Sequence, residues 1–271
     1  MLRGAGVDQT EIAGGANSAL IVKDGARVVV RALTLSTSSP TDIAVVLVGE
    51  LPRATLVLED CRVVRGPQAH SLGIWARRGS KTLLRRCIVT GASGGVRVDD
   101  GALRVESSTI EGSTQGLLPG GSRVRVRNST IVGNGLYGIR TRGDPRKTRM
   151  TIRSSTISGN GGDAIFAFES KIRIASSILD GSCTYAENLI SLGGNLFSAC
   201  VPGEGRVDLD LLGADPLLGP LQDNGGPTPT MLPGVGSPAI DALDKMRFCG
   251  QPDQRGNPRG LPCDIGAVDT P

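Results

Sequence analysis

Three stretches of one chain, VRNSTIVGN (126–134), RSSTISGN (153–160) and IASSILDGS (174–182), write nearly the same phrase. Aligned on the apolar residue that follows the serine by two, they set Ile131, Ile157 and Leu179 in one column. The column extends backwards through Ile110, Val89, Val63 and Leu35, at intervals of 21 to 28 residues. A second apolar column sits five residues earlier, at Val30, Leu58, Leu84, Val105, Val126, Ile152 and Ile174. A third runs through Ile74, Val96, Leu117, Ile139 and Ile165, usually just after a glycine, as in GGVRV (94–98) and YGIRT (137–141). Self-similarity at this period is the mark of a solenoid, in which each lap buries its apolar stations against the next.

The stations alternate. LRVESSTI, VRVRN and KIRIASSI carry apolar residues at every second position, which is the period of a strand and not of a helix. Three short strands per lap, with no helical stripe between them, give an all-β fold: a right-handed parallel β-helix solenoid with three strands per rung. The right hand follows from the general preference of parallel connections. The position after the second column reads Arg31, Glu59, Arg85, Glu106, Arg127, and opposite charges on stacked strands favour that register. The serine position reads Leu33, Cys61, Cys87, Ser108, Ser129, Ser155, Ser177; alternation turns it inward, where serines satisfy one another along the stack. With His70 the single histidine of the chain, these serines have no base to make them nucleophiles. Gly112, Gly133-Asn134, Gly159-Asn160 and Gly181 follow the phrase at a bend, where glycine and asparagine tolerate left-handed backbone.

Composition narrows the function classes. The 271 residues include 39 glycines and only 3% aromatics, with 30 basic against 26 acidic side chains and a net charge of +4. So mild a balance supplies no concentrated basic face, and nucleic acid is not an expected partner. No run of 18 apolar residues provides a membrane span. MLRGAGVDQTEI lacks the apolar core of an export signal and reads as part of an earlier rung, so the true start is expected upstream. GAGVDQT (4–10) has neither the spacing nor the lysine of a phosphate-binding loop, and NST (128–130) reads as ladder before glycosylation acceptor.

The outward positions beside the third column are where chemistry is expected. They read Trp75, Arg97, Leu118, Arg140 and Phe166, followed by Arg77, Asp99, Arg142 and Phe168. Arginine pairs with carboxylate or sulfate, so Trp75, Arg77, Arg97, Asp99, Arg140, Phe166 and Phe168 are candidate contacts for a polysaccharide or surface glycan. The alternative is a polysaccharide lyase or hydrolase acting on acidic glycans. A hydrolase needs two carboxylates within about 5–9 Å, and adjacent Asp99 and Asp100 point oppositely in a strand. A lyase would draw on Arg140, Arg142, Asp144 and Asp163, around the loop RTRGDPRKTR (140–149), with calcium held by the acids. No other cofactor is expected, and His70 has no second ligand to make a metal site.

Beyond residue 182 the text changes. Residues 1–200 are read as the parallel β-helix, with clear rungs over about 20–182 and a looser rung in SLGGNLFSAC (191–200); residues 201–271 are a proline- and glycine-rich capping segment, expected to lie across the open end of the coil. Cys183 with Cys200 and Cys249 with Cys263 would each close a short loop by a disulfide, which points to an oxidising compartment. Cys61 and Cys87 read as buried thiols on neighbouring rungs, a bridge between them being the other possibility.

DPLLGPLQDNGGPTPTMLPGVGSPAIDA (215–242), CGQPDQRGNPRG (249–260) and PCDIGAVD (262–269) resemble the C-terminal region of bacterial secreted, pectin-lyase-like right-handed β-helix repeat proteins with a choice-of-anchor-type tail. The likeness covers about 207–269 closely and 20–182 through the STIxGN-type rungs. It implies that Asn224–Thr230, Ser237–Ala242, Asp253–Gly256 and Cys263–Ala267 close the β-helix and are not catalytic. It also implies an extracellular or cell-surface protein with a structural or adhesive role.

Overall fold

The computed structural model describes residues 1–15, 17–23, 25–37, 44–49, 53–66, 71–142, 148–205, 209–249 and 251–270. Among them the chain forms three parallel sheets, two of ten strands and one of eight, each strand hydrogen-bonded to its counterpart one lap away. Sheet one runs from Leu2–Arg3 through Ala102–Glu106 and Arg123–Arg127 to Glu204–Gly205. Sheet two runs from Glu11–Gly14 through Thr109–Glu111 and Thr130–Val132 to Leu211–Leu212. Sheet three runs from Leu20–Val22 through Gly94–Asp99 and Gln115–Gly120 to Cys183–Thr184. This is the all-β coil with three strands per rung, and its pairing extends on both sides of residues 20–182.

The three apolar columns are real stacks. Ile110 pairs with Ile131 and Ile131 with Ile157; Val105 pairs with Val126; Val96 pairs with Leu117 and Leu117 with Ile139. All are buried in one continuous core. Strands one lap apart lie about 4.8 Å from one another, so like side chains pack directly on like.

The outward charge ladder closes as ion pairs. Glu59 accepts Arg31 Nε at 2.6 Å and Arg85 Nη1 at 3.1 Å, and Glu106 takes Arg85 Nη2 at 3.1 Å. The inward serines form a relay. Ser108 N–H donates to Ser129 Oγ, Ser129 N–H to Ser155 Oγ, and Ser155 N–H to Ser177 Oγ, while each of Ser129, Ser155 and Ser177 donates its own hydroxyl to the carbonyl two residues back. Buried Cys61 and Cys87 are unbridged and take the same place in the stack, directing their thiols to the carbonyls of Glu59 and Arg85.

Two features of the corners depart from expectation. The turn from sheet one into sheet two is made by a single non-glycine residue with positive φ, among them Asp60 (54°), Arg86 (52°), Asn128 (44°) and Ser154 (47°). This conformation costs an L-residue about 1–2 kcal/mol; the next residue, Cys61, Cys87, Ser129 or Ser155, is the inward one that donates its thiol or hydroxyl to the carbonyl two residues back. At the second corner glycine alone adopts the left-handed backbone, at Gly112, Gly133 and Gly159. Asn134 and Asn160 are there for another reason: Asn134 N–H and Nδ2 both donate to Asn160 Oδ1, a buried amide ladder beside the serine one.

The C-terminal segment opens with the last rung strands, Glu204–Gly205 and Leu211–Leu212. It runs back along the outer face of sheet two. Gln254 Nε2 donates to Thr109 Oγ1, Thr130 Oγ1 donates to Gln254 Oε1, Asn128 Nδ2 donates to Pro252 O, and Ala267 N–H donates to Thr156 Oγ1. Those outward threonines are thereby buried. Further along, Ile178 and Leu196, also outward, pack with Ala239, Leu243, Cys249, Cys263 and Ile265 in a second apolar cluster. Cys249 and Cys263 are disulfide-bonded at a Cα–Cα distance of 5.9 Å, and Cys183 and Cys200 at 5.2 Å.

Candidate functional site

The returning C-terminal segment, a strap, covers sheet two from the Thr109–Glu111 strand onward, and the outer faces of sheets one and three remain. Sheet three presents the candidate glycan residues. Trp75 pairs with Arg97 on the next strand, Arg97 with Leu118, and Arg140 with Phe166. One residue pair further along, Arg77 sits beside Asp99 and Gly120 beside Arg142.

Asp99 organises the upstream half. Its Oδ2 accepts the Trp75 indole N–H at 2.7 Å and Arg97 Nε at 2.7 Å. The guanidinium carbons of Arg77 and Arg97 lie 4.6 and 5.0 Å from the Trp75 ring centroid, within the range of cation–π attraction. The indole is therefore engaged by arginines and serves to hold them. Downstream, Arg140 stands 5.4 Å from the Tyr137 ring and 5.7 Å from that of Phe166, and donates to Gln115 Oε1 at 3.2 Å. Phe166 and Tyr185 pack edge to face and Phe168 tilts against both, Phe168 and Tyr185 with their outer parts exposed.

Between these halves lies a cleft of about 380 Å³, lined by Leu72, Gly94, Arg97, Gln115, Leu118, Arg140 and Arg142. Three guanidinium groups share it, and the Asp99 carboxylate is bonded to one of them, Arg97. Burial first, then the charges of Arg97 and Arg140, lowers the Arg142 pKa from its ordinary value, with Asp99 acting in the opposite direction.

Of the lyase quartet, Arg140, Arg142 and Asp163 fall among the described residues. Asp144 and His70 lie outside them. Asp163 accepts the Ser182 hydroxyl at 2.7 Å and forms no ion pair with Arg140 or Arg142. No group of three or more acidic, thiol or imidazole side chains converges as a metal cage among the described residues. No described helix is long and apolar enough to cross a membrane.

Leu72, Gln115 and Tyr137 were not legible as part of this face. Each lies two residues before an inward position, so strict alternation would turn it inward. The intervening glycine breaks the alternation: a Cβ on Gly116 would stand 2.6 Å from Gly138 O and 3.0 Å from Ile131 Cγ2, so it points inward itself. The recurrent glycine before the third column was the available signal.

Compared with known proteins, the chain matches the family described as right handed beta helix region over residues 51–201. No curated protein and no solved structure matches it.

Proposed function

The chain belongs to the right-handed β-helix family, and from that premise we propose a non-catalytic extracellular or cell-surface protein, structural or adhesive, that holds an acidic glycan against sheet three. The observation that carries this reading is the cleft in which Arg97, Arg140 and Arg142 come together beside Asp99. A carboxylate or sulfate entering there forms charge-assisted, two-pronged bonds to arginine and relieves the repulsion among the three cations. Rigid sheet backbone fixes their spacing, and the exposed edges of Phe168 and Tyr185 extend the surface for a longer chain. The two disulfides are compatible with an oxidising, extracellular setting.

The fold alone does not choose between binding and cleavage. The lowered Arg142 is the feature that favours a lyase, since an arginine acting as base must give up its proton. Both readings are tested by titrating oligogalacturonate, oligoalginate and a neutral oligosaccharide into the protein by calorimetry, while following unsaturated product by absorbance. Binding without product supports the proposal, and Arg97→Ala or Arg142→Ala then weakens it by about tenfold or more, the loss of roughly one charge-assisted contact. Product that disappears in Arg142→Ala establishes the lyase instead. Neither binding nor product with any acidic glycan overturns both.

A further inference from the structure

The mild net charge of the chain conceals a sorted one. Four consecutive strands of sheet one, Ala102–Glu106, Arg123–Arg127, Arg149–Arg153 and Lys171–Ala175, carry eight basic side chains and one acidic, Glu106, which is already paired with Arg85. The basic residues occupy the outward positions of the alternation. Arg123 pairs in register with Arg149, and Arg149 with Lys171; Arg104 pairs with Arg125. Arg104, Arg123, Arg125, Arg149, Lys171 and Arg173 make no ion pair with any described residue.

This arrangement opposes the fold. Like charges directly opposite on neighbouring strands are destabilising, and the upstream rungs of the same sheet avoid it by alternating Arg31, Glu59, Arg85 and Glu106. Beside the cations runs an open groove of about 590 Å³ that crosses five strands, from Thr55 and Val57 past Lys81 and Leu83 to Arg125 and Arg149. Groove and cation files both follow the long axis of the coil.

We propose that the outer face of sheet one is a second binding surface, for a linear sulfated polysaccharide lying along the coil axis. Sulfates match the guanidinium fork, and a charge-bearing chain along the axis meets one rung after another about every 4.8 Å. The face offers little to nucleic acid: no outward position on these four strands is aromatic, so bases have nothing to stack on, and a flat sheet brings no element into a duplex groove. The surface is separate from the sheet three cleft and stands or falls without it.

The test is calorimetric titration of a size-defined heparin oligosaccharide into the intact protein, beside the triple variant Arg123→Ser/Arg125→Ser/Arg149→Ser and the sheet three variant Arg97→Ala. The wild-type protein should lose affinity steeply with salt, at least about tenfold between about 50 and 200 mM. The triple variant should bind at least about tenfold more weakly and melt no lower than wild type, because it removes repulsion between exposed side chains. Arg97→Ala, which alters the sheet three cleft alone, should lose less heparin affinity than the triple variant. The proposal is overturned if the folded triple variant binds heparin unchanged, if Arg97→Ala loses as much as the triple variant, or if duplex DNA or phosphatidylglycerol-containing vesicles are held more tightly than heparin at equal salt.

Discussion

The hydroxyl of Thr130 donates to Oε1 of Gln254 at 2.7 Å, across 124 residues of sequence. The same buried amide donates through Nε2 to Thr109 Oγ1 and Thr228 Oγ1 at 3.0 and 2.9 Å. One side chain thus pins the returning strap to two adjacent rungs and to itself. Replacing it with Leu leaves the Thr130 hydroxyl buried without an acceptor. Gln254→Leu should lower stability by roughly 1–3 kcal/mol, read by urea unfolding, and hydrogen exchange should quicken along residues 251–269 before the coil.

A sharper loss is expected at Gly116. An added Cβ would meet Gly138 O at 2.6 Å and Asn134 Nδ2 at 2.9 Å, both held in the following lap. Gly116→Ala should cost more than about 1–3 kcal/mol, the usual range for overpacking a tight interior. Gly133→Ala is the informative comparison. No atom stands within 4 Å of its Cβ, yet its φ is +62°, so only the cost of left-handed backbone should remain. The order of the two melting temperatures checks the claim.

Glu111 supplies a pH signature. Burial raises its pKa above the ordinary 4.5, the charge of Arg62 pulling weakly the other way. The folded state therefore holds its proton to higher pH than the unfolded chain. Its contribution is fully favourable below the ordinary value and is lost as pH rises through the raised one. Glu111→Gln should accordingly be more stable than wild type at neutral pH, with the difference vanishing below about pH 4, under the unfolded glutamate value. Paired thermal melts across that interval measure it.

The Cys249–Cys263 bridge, with a sequence separation of 14, ties down the apolar cluster between strap and sheet two. Loop closure of that size is worth about 3 kcal/mol. Cys249→Ser/Cys263→Ser should lose about that much, and limited proteolysis should cut the strap first. Reductant should have no such effect through Cys61 and Cys87, which are unbridged, and burial pushes the Cys87 thiol well above its ordinary value.

Much of the coil was legible because its inward positions obey a strict period of two. Ile110, Ile131 and Ile157 could be stacked from their neighbours alone, and so could the Arg31–Glu59–Arg85 ladder. What escaped involves either a break in that period or a long return. Gly116 and Gly138 reverse the parity and so hid Gln115 and Tyr137 on the outer face of sheet three. Thr109 and Thr130 find their partner, Gln254, in a segment without periodicity. The basic face of sheet one was lost in a net charge that sums over all three sheets.

The most direct test of the acidic-glycan reading is a methyl NMR titration with a short oligogalacturonate. Leu72 and Leu118 line the sheet three cleft, whereas Leu117 and Ile131 face the core. Saturating ligand should shift the methyl signals of Leu72 and Leu118 and leave those of Ile131 in place. If Leu72 and Leu118 stay unmoved while the ligand binds elsewhere or not at all, sheet three is not the glycan surface.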